Sequence, residues 1–405
     1  MRTRALIAAL AVTLAALCAD SQTPPTTTTT TSTSQETIDQ LRSLPYAAPS
    51  TSTADKTGVV ANSRFAAQGY NFYGDRFKNK AALLTNDGRT VHTWSRPNSA
   101  SWGHAELLPD GALLVIETWD AMKKKEYPKE KGFPSRIVKL SPASRVEWIS
   151  HIPAHHDIQL LRDGSFLTLT ERRRKIDAVS RTHLTLDNAI AHVDAKGTLL
   201  SEISLYRAVS HSPLVKFKAV KPDDRGLVDL FHANSIQKFE PSSWLSSLKG
   251  TLYKPGNILF CSRHQDLIGI VSPAGQLLWA WGQKDVSGPH AARLLANGNI
   301  LVFDNGLGRK ASRVIEVDPS TNRIVWTYQA EKPEDFYSGT GGYSQRLPNG
   351  NTLITDSWKY TVFEVTSELR LVWKFVSPGK NFVYRLQRYP ASYFERSFRE
   401  TLERQ

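Results

Sequence analysis

The sequence predicts an all-β fold, a six-bladed β-propeller of four-stranded antiparallel blades whose ring is closed by N-terminal strands. Three observations carry this prediction. A strand–turn–strand phrase recurs along the chain, tryptophan marks the last strand of most copies, and the strands of one copy are divided between the two ends of the repeat region.

The phrase is clearest as GPHAARLLANGNILVFDNG from Gly288, with variants WGHAELLPDGALLVI from Trp102, HHDIQLLRDGSFLTLTE from His155 and GGYSQRLPNGNTLITDS from Gly341. A looser copy, FHANSIQKF from Phe231, resumes as KPGNILFCSRHQ from Lys254. Asn-Gly or Asp-Gly between alternating apolar runs is the strongest short hairpin signal, because these residues tolerate the positive φ of a tight turn. A third strand (SRVIEV, LIGIV, YTVFEV) leads through DPSTN, SPAGQ or TSEL into a fourth (RIVWTY, QLLWAW, RLVWKF). Trp94, Trp148, Trp279, Trp326 and Trp373 occupy the fourth strand, and the copy GTLLSEISL near Leu200 lacks one. Six units result. In the sixth, GYNFYG, AALLT and RTVHTW lie near the N-terminus, while NFVYRLQRYP near residue 385 supplies the first strand. Such a split closes a ring and leaves only short, protected edges. Two stacked sandwiches are the alternative, which a repeat of about 55 residues fits poorly.

The ends of the chain read differently. Residues 1–19 have the form of a signal peptide: MRTR, a short apolar run, then small residues near Ala19. A periplasmic or secreted protein is expected. An uncleaved anchor is the alternative, since Thr13 is the only polar residue in the run, and Cys18 adds a third reading, a lipid anchor, although Leu17 before it is bulkier than such a site favours. Residues 20–57 form a Thr/Ser/Pro-rich linker that cannot bury a core. The propeller is expected over 58–390 and a short amphipathic helical tail over 391–405. After cleavage only Cys261 remains, so no intrachain disulfide is available.

The net charge of +13 suits an anionic small substrate, an acidic surface or nucleic acid. The basic clusters KKKEYPKEK (123–131) and ERRRK (171–175) are short, and zinc-finger spacing, RNP signature and basic helix are all missing, so no nucleic-acid partner is expected.

The first strand of each blade lines the propeller channel, which places its leading residue at one rim. His156 precedes Gly164 by 164 − 156 = 8, and His290 precedes Gly298 by 298 − 290 = 8. Gly103 and Gly342 fill the equivalent places, with His104 and Tyr343 one place on. His232 opens the middle copy, and Asn234, two residues later, shares its strand face. The second strand returns to the same rim: Arg263, Asn305 and Glu171 each stand seven past their turn glycine. His156, His232, Asn234, Arg263 and His290 are therefore predicted to converge at one channel mouth. Inter-blade hydrogen bonding is the bland alternative, and a His₃ zinc site is another. Arg263 argues against zinc, because a guanidinium beside a divalent cation is unfavourable, and no metal is expected. The combination suits an oxyanion, for which arginine offers a bidentate fork.

DLFHANSIQ (229–237), FCSRHQDLIGIV (260–271), LLWAWG, GPHAARLLANGNILVFDNG and SRVIEVDP resemble the bacterial arylsulfotransferases that use no nucleotide sulfate donor. The likeness covers most of residues 58–390. It departs from better-known members in its short inter-blade connections and in showing no large N-terminal β-domain or cysteine pair. The resemblance implies a cofactor-free six-bladed propeller that moves a sulfuryl group from a phenolic sulfate to a phenol through a sulfohistidine. It implies His290 as nucleophile, with His156, His232, Asn234 and Arg263 holding the sulfate oxygens and handling the phenol proton. With rim neighbours Asn305 and Tyr343 added, the expected set is catalytic His290, His232 and Arg263, and substrate-binding His156, Asn234, Asn305 and Tyr343. A neutral imidazole can attack sulfur, preorganised donors can stabilise the sulfuryl oxygens, and a second histidine can move the phenol proton. Two other classes remain at this point: a propeller that binds an anionic ligand or envelope partner without turnover, and, less favoured, a quinone-dependent dehydrogenase propeller with its own tryptophan-docking repeats.

Overall fold

Apolar strands on either side of the Asp-Gly and Asn-Gly turns build six sheets in the computed structural model. It describes residues 56–75, 78–97, 99, 101–118, 135–241 and 250–404. The leader at 1–19 with Cys18, the linker as far as residue 55, and the basic stretch at 123–131 lie outside the described residues. From the axis outward, blade 1 comprises Ser101–Leu107, Leu113–Thr118, Ser135–Leu140 and Val146–Ser150. Blade 2 comprises Ala154–Leu160, Phe166–Arg174, Leu184–Val193 and Leu199–Ser204, with short Leu227–Val228 parallel to its third strand. Blade 3 is Ala233–Lys238, Ile258–Ser262, Leu267–Val271 and Leu277–Trp281. Blade 4 is His290–Leu294, Ile300–Asp304, Arg313–Asp318 and Arg323–Tyr328. Blade 5 is Tyr343–Arg346, Thr352–Asp356, Thr361–Val365 and Leu371–Val376.

Blade 6 is shared between the two ends of the chain. Val383–Tyr389 forms its inner strand and pairs antiparallel with Tyr70–Asp75, setting Tyr70 opposite Tyr389 and Phe72 opposite Gln387. Lys80–Leu84 and Thr90–Ser95 complete it. The expected six-bladed ring, closed by N-terminal strands, is the fold the chain adopts. One strand adds to that expectation: Gly58–Asn62 joins the outer edge of blade 5, with Val59 opposite Phe375. GVVAN is short and carries no turn signal, which is why only the sheet reveals its partner. The seam is fastened by a buried ion pair between Arg388 of blade 6 and Glu364 of blade 5. Glu364 also accepts from the Ala67 amide at 2.8 Å.

The core lies between blades, and the repeated tryptophans explain how. Trp94 of blade 6 donates its indole N–H to Gly111 O in the first turn of blade 1 at 2.9 Å. Trp373 of blade 5 reaches Asn86 O in blade 6 at 2.8 Å, and Trp279 of blade 3 reaches Asn322 Oδ1 in blade 4 at 2.9 Å. Trp326 of blade 4 bonds Ser367 O in blade 5 at 3.3 Å. Trp148 of blade 1 stacks on Phe166 of blade 2 instead. In the four hydrogen-bonded cases the indole packs against apolar neighbours while its one donor is satisfied by the following blade, the use for which an indole is suited. The helix Arg396–Glu403 packs Phe398 and Leu402 into the core shared by blades 6 and 1. No helix among the described residues is long and apolar enough to cross a membrane.

Charge closes the channel axis. Asp157 of blade 2 accepts from Arg293 of blade 4 at 3.0 and 3.2 Å and from Arg385 of blade 6 at 2.8 Å. It takes a further bond from the Ile236 amide at 2.9 Å. One buried carboxylate thus ties together the inner strands of three alternate blades. Burial alone would raise its pKa, yet the two guanidinium groups hold it at about 2.

Candidate active site

The inner strands of blades 2, 3 and 4 lose register as they reach one channel mouth, with bulges at Thr168/Leu169, Ala233/Ser235 and His290/Arg293. Each carries a non-glycine residue in the left-handed region: His156 (φ 61°), His232 (φ 45°) and Ala291 (φ 53°). A bulge re-aims side chains, and histidine tolerates this conformation better than most residues. The bulges also correct the alignment made by counting from the turn glycine. His155 faces Leu169, which is 169 − 164 = 5 past Gly164, and His290 faces Phe303, which is 303 − 298 = 5 past Gly298. The ladder counterpart of His290 is therefore His155, not His156. The bulge of blade 2 holds one residue more than that of blade 4, so the count slips by one.

His156, His232, Arg263 and His290 come together at this mouth. The rings of His156 and His232 lie 4.8 Å apart, as do those of His232 and His264. Arg263 Nη1 is 3.1 Å from His264 Nε2, and His155 Nδ1 is 2.7 Å from His156 Nδ1. Asn234 and Asn305 are present too, but their side chains serve the protein. Asn234 donates to Pro289 O at 2.8 Å and accepts from the Ala291 amide at 3.1 Å, clamping the backbone on both sides of His290. Tyr343 does not join the cluster. Its ring lies under Arg385 and Arg293, at 4.7 and 5.8 Å, beside the axial charges, where burial also places His104 against Glu106.

The protonation of His290 follows from its neighbours. Asn305 donates both protons of its amide nitrogen, to Ser338 O at 2.6 Å and Gly341 O at 2.9 Å. Its oxygen must therefore face His290 Nδ1, 2.7 Å away, and Gly288 O lies on the same nitrogen at 3.1 Å. Two acceptors place the proton on Nδ1 and leave the lone pair on Nε2. Burial, then the charges of His232 and Arg263, push the His290 pKa down to about 3. The imidazole is neutral at any ordinary pH. Gly306 makes this turn possible: at φ 66°, a Cβ there would lie 1.8 Å from Ala311 O.

Sequence reasoning missed Asp229 and His264 although both stand inside quoted motifs. Asp229 caps the His232 amide with Oδ1 at 2.9 Å and holds His232 Nδ1 with Oδ2 at 2.5 Å. Burial would raise its pKa, but the bond and charge of His232 and then the charge of His264 hold it at about 2. His264 donates Nδ1–H to Asp229 O at 2.6 Å and accepts from Arg263 at Nε2. Asp229 precedes the inner strand of blade 3 and His264 stands one place beyond Arg263, so neither occupies a counted rim position; the spacing Asp-x-x-His is the signal that was available. Glu171, which the count did bring to the rim, is buried and pushed up to about 7 by burial and by the Asp229 charge.

Asp229, His232 and His264 present ligand atoms within 4.8 Å of one another, close enough for a metal ion. The fit is poor: both His264 nitrogens are engaged and a guanidinium stands beside them. The arrangement favours an anion. A separate cleft of about 770 Å³ lies between the outer strands of blades 2 and 3, lined by Arg172, Arg174, Asp187, Glu202 and Arg207 among others, away from the histidines. There Arg172 is paired with Glu202 and Arg174 with Asp187.

The buried histidines predict an acid-labile fold. Against an ordinary value of 6.5, His290 and His155 are lowered to about 3 and about 4, both chiefly by burial. Between those values and 6.5 the unfolded chain binds more protons than the folded one, so stability rises with pH across this window. Acidification from about pH 6.5 toward 4 should lower the urea midpoint, and His290→Gln should lessen that fall. An equal fall in wild type and variant would remove His290 from the account. Glu171 acts with the opposite sign, its contribution being lost as pH rises through about 7.

A six-bladed propeller with a buried neutral imidazole near an arginine at one channel mouth is the class of protein that the fold and site define. The chain belongs to the arylsulfotransferase (ASST) family, whose sequence profile matches residues 138–378, more than half its length. No curated protein matches it. Among solved structures it is similar to a protein of unknown function from Bacteroides caccae, at 18% identity and TM-score 0.51, covering 79% of this chain and 98% of that one. Periplasmic gluconolactonase from Pseudomonas aeruginosa gives 12% identity, TM-score 0.45, and 79% and 99% coverage. Virginiamycin B lyase from Staphylococcus aureus gives 10% identity, TM-score 0.43, and 80% and 86% coverage. The first of these shares the fold.

Proposed function

We propose that the protein transfers a sulfuryl group from a phenolic sulfate ester to a phenol through a sulfohistidine at His290. The observation that carries this is the Nδ1–H bond from His290 to Asn305, which leaves Nε2 as the free nucleophilic atom. In the first half-reaction the Nε2–S bond forms and the S–O bond to the aryl group breaks. The departing phenolate takes a proton from Nε2 of His232, whose Nδ1–H is held by Asp229. In the second half the acceptor phenol loses its proton to His232, its oxygen bonds to sulfur, and the N–S bond breaks. Arg263 binds the sulfuryl oxygens: its Nε–H is buried and unpaired among the described residues, a donor awaiting an acceptor. His156 flanks His232 on the other side.

Release of phenol from a chromogenic aryl sulfate, accelerated by an added acceptor phenol, is the expected result; no release would overturn the proposal. Arg263→Lys should lower kcat/KM on the order of 10²-fold, because an ammonium cannot reproduce the fork on a sulfate. Retention of full activity by this variant would remove Arg263 from the oxyanion site. The proposal also places the enzyme in the periplasm or outside the cell, on the strength of the leader in residues 1–19. N-terminal sequencing of the mature chain checks it: a start after Ala19 marks cleavage, whereas a lipid-modified start at Cys18 marks an anchor.

A further inference from the structure

The loop from Tyr337 to Gly341 stands directly behind the reacting groups. Ser338 O and Gly341 O hold Asn305, and through it His290. Gly339 O accepts from Arg263 Nη2 at 3.3 Å. The same loop carries Tyr337, whose ring meets that of Trp358 edge to face at 5.4 Å.

Trp358 is the one tryptophan among the described residues that is exposed, at 48%. The others latch blades together or fill cores. Its position is not loose. The Trp358 amide donates to Ser338 Oγ at 3.2 Å. The indole lies so close over Gly339 that a Cβ there would come within 2.7 Å of the ring. Trp358 also stands at the mouth that carries the histidines. Ser357, immediately before it, is 357 − 350 = 7 past the turn glycine Gly350, the place held by Arg263 in blade 3 and Asn305 in blade 4. Two aromatic rings, one exposed and both held rigid, therefore border the groups that would bind sulfate. Rings fixed in this way offer apolar area and an edge-to-face partner to a second aromatic ring at little entropic cost.

We propose that Trp358 and Tyr337 form the aryl subsite of the transferase site. Resting on the function proposed above, this subsite holds the ring of the donor while its sulfate lies on Arg263 and His290, and later the ring of the acceptor. One subsite serving both rings requires the first phenol to leave before the second enters. The subsite selects aromatic alcohols over alkyl ones.

Trp358→Ala in the full chain should raise KM for an aryl sulfate and for the acceptor phenol about two- to twelve-fold, the range an aromatic pair contributes. The sulfuryl adduct formed at saturating donor should be unchanged in amount, and Trp358→Phe should recover most of the lost affinity. Wild-type turnover with unaltered KM values in Trp358→Ala would overturn the subsite and leave the transfer reaction standing, as would failure of Trp358→Phe to recover. Absence of turnover in wild type would sink the transfer reaction instead. Binding then decides the subsite: phenyl sulfate should quench the tryptophan fluorescence of wild type more than that of Trp358→Phe, and equal quenching would overturn it.

Discussion

His290→Ala should remove both the proposed covalent adduct and phenol-dependent turnover, lowering kcat by at least about three orders of magnitude. A donor aryl sulfate without acceptor should leave a sulfuryl group on wild-type His290, because the first half-reaction needs no second substrate. Intact-protein and peptide mass spectrometry read this directly. The variant should still fold, though at some cost. His290 is only 2% exposed, and its loss leaves the buried Asn305 oxygen without its donor, a penalty of about 1–3 kcal/mol. Circular dichroism and a urea midpoint separate that loss from loss of chemistry. An adduct that persists in His290→Ala would move the nucleophile to another residue.

Asp157→Ala should be the most destabilising single change in the channel. It strips the shared acceptor from Arg293 and Arg385 and leaves two guanidinium groups facing each other across the axis. Breaking a buried pair by removing one partner costs about 3–5 kcal/mol, because the remaining charge is buried without compensation. Asp157→Asn should be nearly as damaging, since a neutral amide matches the shape but not the charge. The pH dependence has a definite sign. With its pKa depressed to about 2, Asp157 contributes stability that is present above the unfolded carboxylate range and lost as pH falls toward 2. Urea unfolding at neutral pH measures the effect, and a change below about 1 kcal/mol would contradict the staple.

The parts of this molecule legible in its sequence are those written as repeats. The Asn-Gly turns and the fourth-strand tryptophans recur because every blade must turn and every blade must latch to the next, so blade number and ring closure could be read off. The convergence of His156, His232, Arg263 and His290 was legible for the same reason. What the repeats do not share stayed hidden. The extra bulged residue in blade 2 made His156 appear equivalent to His290 when His155 is. Asn234 and Asn305 were expected to face substrate, yet their amides are spent on backbone carbonyls around His290, a choice set by loop geometry rather than spacing. Tyr343 follows the rim glycine by one residue, and on a strand one residue turns a side chain to the other direction, here toward Arg385.

The shared sixth blade also sets an order in time. Tyr70–Asp75 is among the first strands to leave the ribosome and Val383–Tyr389 is the last. A chain delivered N-terminus first carries an open sheet edge at Tyr70–Asp75 until its final strand arrives, the kind of edge that neighbouring chains can capture. Every histidine of the cluster is synthesised before that moment, on blades that cannot yet be drawn into a circle. The ring therefore closes only when Val383–Tyr389 arrives to pair with Tyr70–Asp75, so the edge that opened earliest in synthesis is the one covered latest.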